Sequence, residues 1–166
     1  MTSCAASSLF LLMMISAAMV DVVTLRIPNR LSLAITLIFF PAALLSGMPW
    51  QLLGTHILAG FALLVIGFLL FASGAIGGGD AKLLAAAGLW IGWPAVLPFL
   101  VWTGIAGFAL ALLILAISIV TRHFDTMTNK ADDPRAWRFL NVPYGIALAT
   151  GAILAIPNSW WSHPST

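Results

Sequence analysis

The chain has five acidic residues, all aspartates; Asp125, Asp132 and Asp133 share one polar stretch, while Asp21 and Asp80 stand apart. Asp21 ends an apolar run that begins at Leu9, and it precedes Val22 and Val23. Asp80 follows Gly77, Gly78 and Gly79 and precedes Ala81 and the apolar run that opens at Leu83. A carboxylate within a membrane span costs about 3 kcal/mol unless it is solvated or paired, so each is a functional candidate. The chemistry that needs two carboxylates at one depth is aspartic proteolysis. One, ionised, takes a proton from water as the water attacks a carbonyl; the other, protonated, donates a hydrogen bond to the carbonyl oxygen. Two such groups share one proton and titrate as a unit, and the reaction calls for neither a metal nor another cofactor. The three glycines have no Cβ, so a substrate backbone can approach closely beside Asp80. Each aspartate also has a purely structural reading: Asp80 as the N-cap of the following helix, and Asp21 as an interfacial partner of Arg26.

The elements that must bring these residues together are membrane spans. Of 166 residues, 61% are hydrophobic and 7% charged, and the mean hydropathy is +1.07. A soluble domain carries about a quarter charged residues, so an ordinary globular protein is excluded. Long apolar runs predict an all-α membrane protein with about six transmembrane helices in one domain over residues 1–166. They fall near Ser7 to Val23, Leu31 to Trp50, Leu52 to Ile76, Ala81 to Gly92, Pro94 to Val120, and Phe139 to Trp161. The charge-free stretch between Lys82 and Arg122 is about twice one span, and Gly92, Trp93, Pro94, Pro98 and Gly104 offer breaks within it. With six spans, all seven basic residues share one face, which the positive-inside rule makes cytoplasmic, with both termini on the other side. That topology also puts Asp21 and Asp80 at the same face. Residues 1–20 lack the basic start of a signal sequence and flow straight into Asp21, so the first span is expected to be retained. Arg122 to Arg138 reads as a solvated connector, and the single cysteine, Cys4, excludes an internal disulfide or a Cys-x-x-Cys metal site.

Three segments together resemble a known family. Asp21 through Leu31, reading D-V-V-T-L-R-I-P-N-R-L, resembles the first-aspartate segment of type IV prepilin peptidases. Gly77 to Leu84, reading G-G-G-D-A-K-L-L, resembles their G-x-G-D segment. Val142 to Gly145 resembles the Pro-Tyr-Gly segment of their final span. The resemblance covers essentially the whole chain and implies a six-span intramembrane aspartyl protease of the bacterial inner membrane. Such an enzyme removes the short basic leader of prepilins or prepilin-like proteins at the cytoplasmic face, with Asp21 and Asp80 as the catalytic pair. The cytoplasmic insertion with paired cysteines that accompanies N-methylation in larger members is missing, so the chain is similar to the short peptidases of tight-adherence pilus systems.

Other residues invite supporting roles. Lys82 sits two positions after Asp80, where it could act on the carboxylate or the substrate or simply snorkel to the interface. Pro143 and Gly145 are expected to kink or loosen the sixth helix, and Tyr144 could hydrogen-bond near the aspartates. His56 reads as an interfacial residue at the outer end of the third span, and Trp50, Trp160 and Trp161 as an aromatic belt. The expected partners are a leader peptide, the bilayer and components of a pilus or secretion assembly; nucleic acid is not among them. Two rival readings use the same residues: a small proton-coupled transporter, with the aspartates as a proton relay, and a non-catalytic subunit of a secretion assembly.

Overall fold

A computed structural model describes residues 2–127 and 143–162, and every regular element in those residues is a helix. In chain order they are α1 (Thr2–Thr24), α2 (Asn29–Leu45), α3 (Trp50–Ala72), α4 (Gly78–Ile91), α5 (Trp93–Met127) and α6 (Tyr144–Ala155). Two 3-10 turns, Ile156–Asn158 and Trp160–Ser162, end the described chain. Of the expected connector, residues 122–127 instead continue α5, and the remainder, with Asp132 and Asp133, lies outside the described residues.

The expected number of helices holds among the described residues. Three segments are long and apolar enough to cross a bilayer: α1, α3 and Trp93–Val120 of α5. With 14 residues, α4 rises about 21 Å, short of a hydrocarbon layer of about 30 Å. It is also the core. Leu83, Leu84 and every residue from Ala86 to Ile91 are buried, and a helix that is apolar all round belongs inside protein. Glycines let its neighbour approach. A Cβ at Gly60 of α3 would lie 3.1 Å from Leu89 Cβ, and one at Gly67 would lie 3.1 Å from Ala81 Cα, the small-residue packing by which membrane helices associate.

The break between the fourth and fifth helices is one residue wide. Gly92 alone separates α4 from α5, at φ +74°, and a Cβ there would sit 2.5 Å from His56 Nε2. Gly92→Ala therefore combines a positive-φ backbone that is essentially reserved for glycine, at a cost of about 1–3 kcal/mol, with a collision inside the core. It is expected to destabilise the folded protein by more than about 2 kcal/mol, read as a lowered unfolding transition in detergent. Gly54→Ala, also on a helix but with open space around it, should be neutral or slightly stabilising.

His56 is not interfacial. Its ring is fully buried, its Nδ1 donates to the Leu89 carbonyl at 2.8 Å, and it stacks on Phe39 with Trp161 against its edge. The cluster continues through Trp90, which stacks on Phe10 at 5.1 Å and donates its indole N–H to the Ile35 carbonyl at 2.8 Å. Trp161 in turn donates to the Trp90 carbonyl. Trp161 is thus a core residue and Trp160 is partly buried, whereas Trp50 is exposed as a belt residue would be. An indole can be buried this way because its one polar atom finds a backbone acceptor. The cluster joins α1, α2, α3, α4 and the last 3-10 turn, about 15 Å along α1 and α4 from the two aspartates.

Candidate active site

The buried face of α1 carries Ser3, Ala6, Phe10, Met14, Ala17 and Asp21, a stripe stepping by three and four residues. Asp21 is the last member of that stripe, so its carboxylate points into the bundle and is only 4% exposed. It meets α6 there. The Gly145 N–H donates to Asp21 Oδ2 at 2.8 Å. Gly145 is the second residue of α6, whose N-cap is Pro143, so the carboxylate caps one of the four N–H groups that a helix start leaves without a partner. Pro143 to Gly145 therefore begin the sixth helix rather than kink its interior, and a proline at a helix start sacrifices no hydrogen bond. The contact is tight: a Cβ on Gly145 would lie 2.8 Å from Asp21 Cβ and 2.9 Å from Asp21 Oδ2.

Asp80 is placed by a second helix start. Gly77 is the N-cap of α4, and the Asp80 carboxylate, three residues on, accepts the Gly77 backbone N–H, as an acidic residue does in a capping box. The two carboxylates lie within electrostatic reach of each other. The positive ends of two helices, α4 and α6, thus converge on a pair of acids from α1 and α4, which offsets part of the cost of holding them together. Such a pair holds a proton between its members more readily than it ionises twice.

The three glycines pack against the chain itself. A Cβ on Gly77 would lie 2.9 Å from Asp80 Oδ2, one on Gly78 would lie 3.3 Å from the Phe71 ring, and one on Gly79 would lie 3.1 Å from both Cβ and O of Ile27. Ile27 is buried in the connection from α1 to α2. Gly79 therefore lets that connection close over the start of α4, while Gly78 leaves room for Phe71 and Gly77 for the Asp80 carboxylate.

Beside Asp80 a cleft of about 210 Å³ opens among α3, α4, α5 and α6. Tyr144 lines it together with Leu84, Thr103, Gly104 and Gly107. Gly104, an expected break, instead lies within α5 with open space beside it. Thr103 Oγ1 is buried without a hydrogen-bond partner. The α5 wall is absent from the sequence expectations, although the Thr103-Gly104 pair interrupts an otherwise bulky apolar run and is the signal that points to it.

Lys82 does not join the pair. Its ammonium donates to Asn29 Oδ1 at 2.8 Å, and two residues of helix turn it about 200° around α4 from Asp80. Arg26 is exposed, and the Asp21 oxygen bonds α6 rather than that guanidinium.

A sequence model of the type IV leader peptidase family matches residues 8–120, a stretch that contains both aspartates and the glycine segment. The chain belongs to that family. No curated protein and no solved structure matches it. Membership makes this protein a type IV leader peptidase by family, with a peptide substrate, and its long apolar helices make it a membrane protein. The matched stretch ends before α6, so the contact of Gly145 with Asp21 is an observation independent of the match.

Proposed function

We propose that this leader peptidase is an aspartic endopeptidase of the bacterial inner membrane, with Asp21 and Asp80 as its catalytic pair, cutting the basic leader from prepilins or prepilin-like proteins at the cytoplasmic face. The observation that carries the reading is the pairing of a buried carboxylate on α1 with a carboxylate at the start of α4. Both accept backbone N–H groups that fix their orientation before substrate arrives. One carboxylate removes a proton from a water molecule as its oxygen attacks the scissile carbonyl. The other, carrying the shared proton, hydrogen-bonds the carbonyl oxygen as it gains charge. When the tetrahedral intermediate collapses, the C–N bond breaks, a proton passes to the leaving amine, and the pair is left with one proton again. The basic leader is drawn toward the aspartates, and the apolar residues that follow the cut lie in the cleft beside Asp80.

The reading is tested by incubating the protein, in membranes or detergent, with a synthetic prepilin segment that has a basic leader and a hydrophobic segment, and identifying the products by mass. Two fragments from a single cut at their junction are expected. Hydroxylamine should trap no acyl hydroxamate, because water attacks directly. An intact substrate, or a trapped acyl derivative, would contradict the proposal. Filling the cleft gives a separate result. Gly104→Phe, at a position with open space around it, should leave folding intact and lower kcat/KM by about tenfold or more, mainly through a raised KM.

A further inference from the structure

A second cavity lies on the other side of α4. α2 and α3 both pack on α4 but scarcely on each other, and between them runs a groove of about 540 Å³. Its floor is Lys82, Ala85, Ala86 and Leu89 of α4, and its apolar walls include Phe40 of α2 and Leu64 of α3. Its polar lining is Lys82 with Asn29, Ser32 and Thr36 of the first two turns of α2, the Thr36 hydroxyl donating to the Ser32 carbonyl, and no acidic residue lines the groove among the described residues.

The Lys82 end is incompletely satisfied. Lys82 has three N–H donors, of which one is engaged by Asn29 Oδ1. Ser32 also lines the groove, with its residue 5% exposed, and its buried Oγ has no hydrogen-bond partner. A ligand that completes this site must be an acceptor-rich anion at the Lys82 end and apolar along the rest. The level is that of a headgroup: Asn29 opens α2, Lys82 is in the first turns of α4, and Arg26 and Arg30 are exposed in and just after the same connection.

We propose that the groove binds one anionic phospholipid, its phosphate on Lys82 at the end that Ser32 and Asn29 also line, and one acyl chain between α2 and α3. A peptide is the poorer occupant, because the groove faces away from Asp80 and a bond held there is not presented to the carboxylates. An acyl chain needs no such access. It needs an apolar slot with a cation at the headgroup end, where each basic residue near the surface favours anionic lipid.

The test uses the full chain, purified in mild detergent with equal amounts of phosphatidylglycerol and phosphatidylcholine of matched chains, and weighed by native mass spectrometry. Wild type is expected to retain one lipid, with phosphatidylglycerol favoured at least fivefold. Lys82→Ala should bring the two lipids to near parity. Leu64→Trp, a change at an exposed wall position, should lower retention of both. Arg26→Ala, outside the groove, should keep the preference. A photoreactive residue at Leu64, activated in membranes that also hold a prepilin-like substrate, should yield a lipid adduct. Absence of a retained lipid, an unchanged preference in Lys82→Ala, or a peptide adduct at Leu64 would overturn the proposal.

Discussion

Asp21→Asn and Asp80→Asn are each expected to lower leader cleavage by about 10³-fold or more, with the protein still folded and inserted. The size follows from removing an acid–base group that acts in the transition state. Preservation of the fold follows from what each carboxylate touches. The amide of asparagine has nearly the same shape as a carboxylate and retains an oxygen that can accept the Gly145 N–H at position 21 or the Gly77 N–H at position 80. What it cannot do is take a proton from water or carry the shared one. Cleavage assayed on equalised membrane levels, with unfolding of each variant followed in detergent, separates lost chemistry from lost protein.

The second large effect is expected at a residue with no reactive group. Gly145→Ala puts a methyl group where Asp21 Cβ and Oδ2 are 2.8 Å and 2.9 Å away. Either α6 retreats or the carboxylate turns, and in both cases the bond from Gly145 N–H to Asp21 is lengthened or lost. A displacement of about 1 Å at a catalytic group is worth about 10²-fold in rate. Gly145→Ala is therefore expected to lower kcat by about 10²-fold with KM little changed, and Gly145→Val by more. Gly54→Ala, where nothing lies within 4 Å, should cleave as wild type does. Equal activity of Gly145→Ala and wild type would show that contact between α6 and Asp21 plays no part in the reaction.

Much of this site is legible in the amino-acid sequence. Asp21 and Asp80 stand out because an aspartate interrupting an apolar run is costly. The direction in which Asp21 points is not legible, because α1 is apolar on every side and only packing selects the face of Ala6, Phe10, Met14, Ala17 and Asp21. The six-helix count follows from apolar runs and from Gly92, the residue type best able to adopt the positive φ found there.

What the sequence hides depends on contacts between segments far apart in the chain. Hydropathy cannot separate a lipid-facing helix from a short one buried by its neighbours, so the burial of α4 is hidden in its apolar run. His56 and Trp161 resemble interface residues by type, yet the Leu89 carbonyl takes the His56 Nδ1 proton and the Trp90 carbonyl takes the Trp161 indole proton, and both rings lie in the core. Proline and glycine at 143 and 145 signal a kink or a start equally well, and only the bond to Asp21 distinguishes the two. Lys82 is close to Asp80 in sequence but lies across the helix from it, paired with Asn29.

The most direct measurement is a double-mutant cycle on the two aspartates: single-turnover cleavage of a synthetic prepilin segment by wild type, Asp21→Asn, Asp80→Asn and the double variant. Groups that work as one unit are strongly non-additive. The double variant is expected to be no slower than the slower single variant, because either substitution alone already removes the proton-sharing pair. Losses that multiply, or wild-type cleavage by either single variant, would contradict the assignment of Asp21 and Asp80 to one active site.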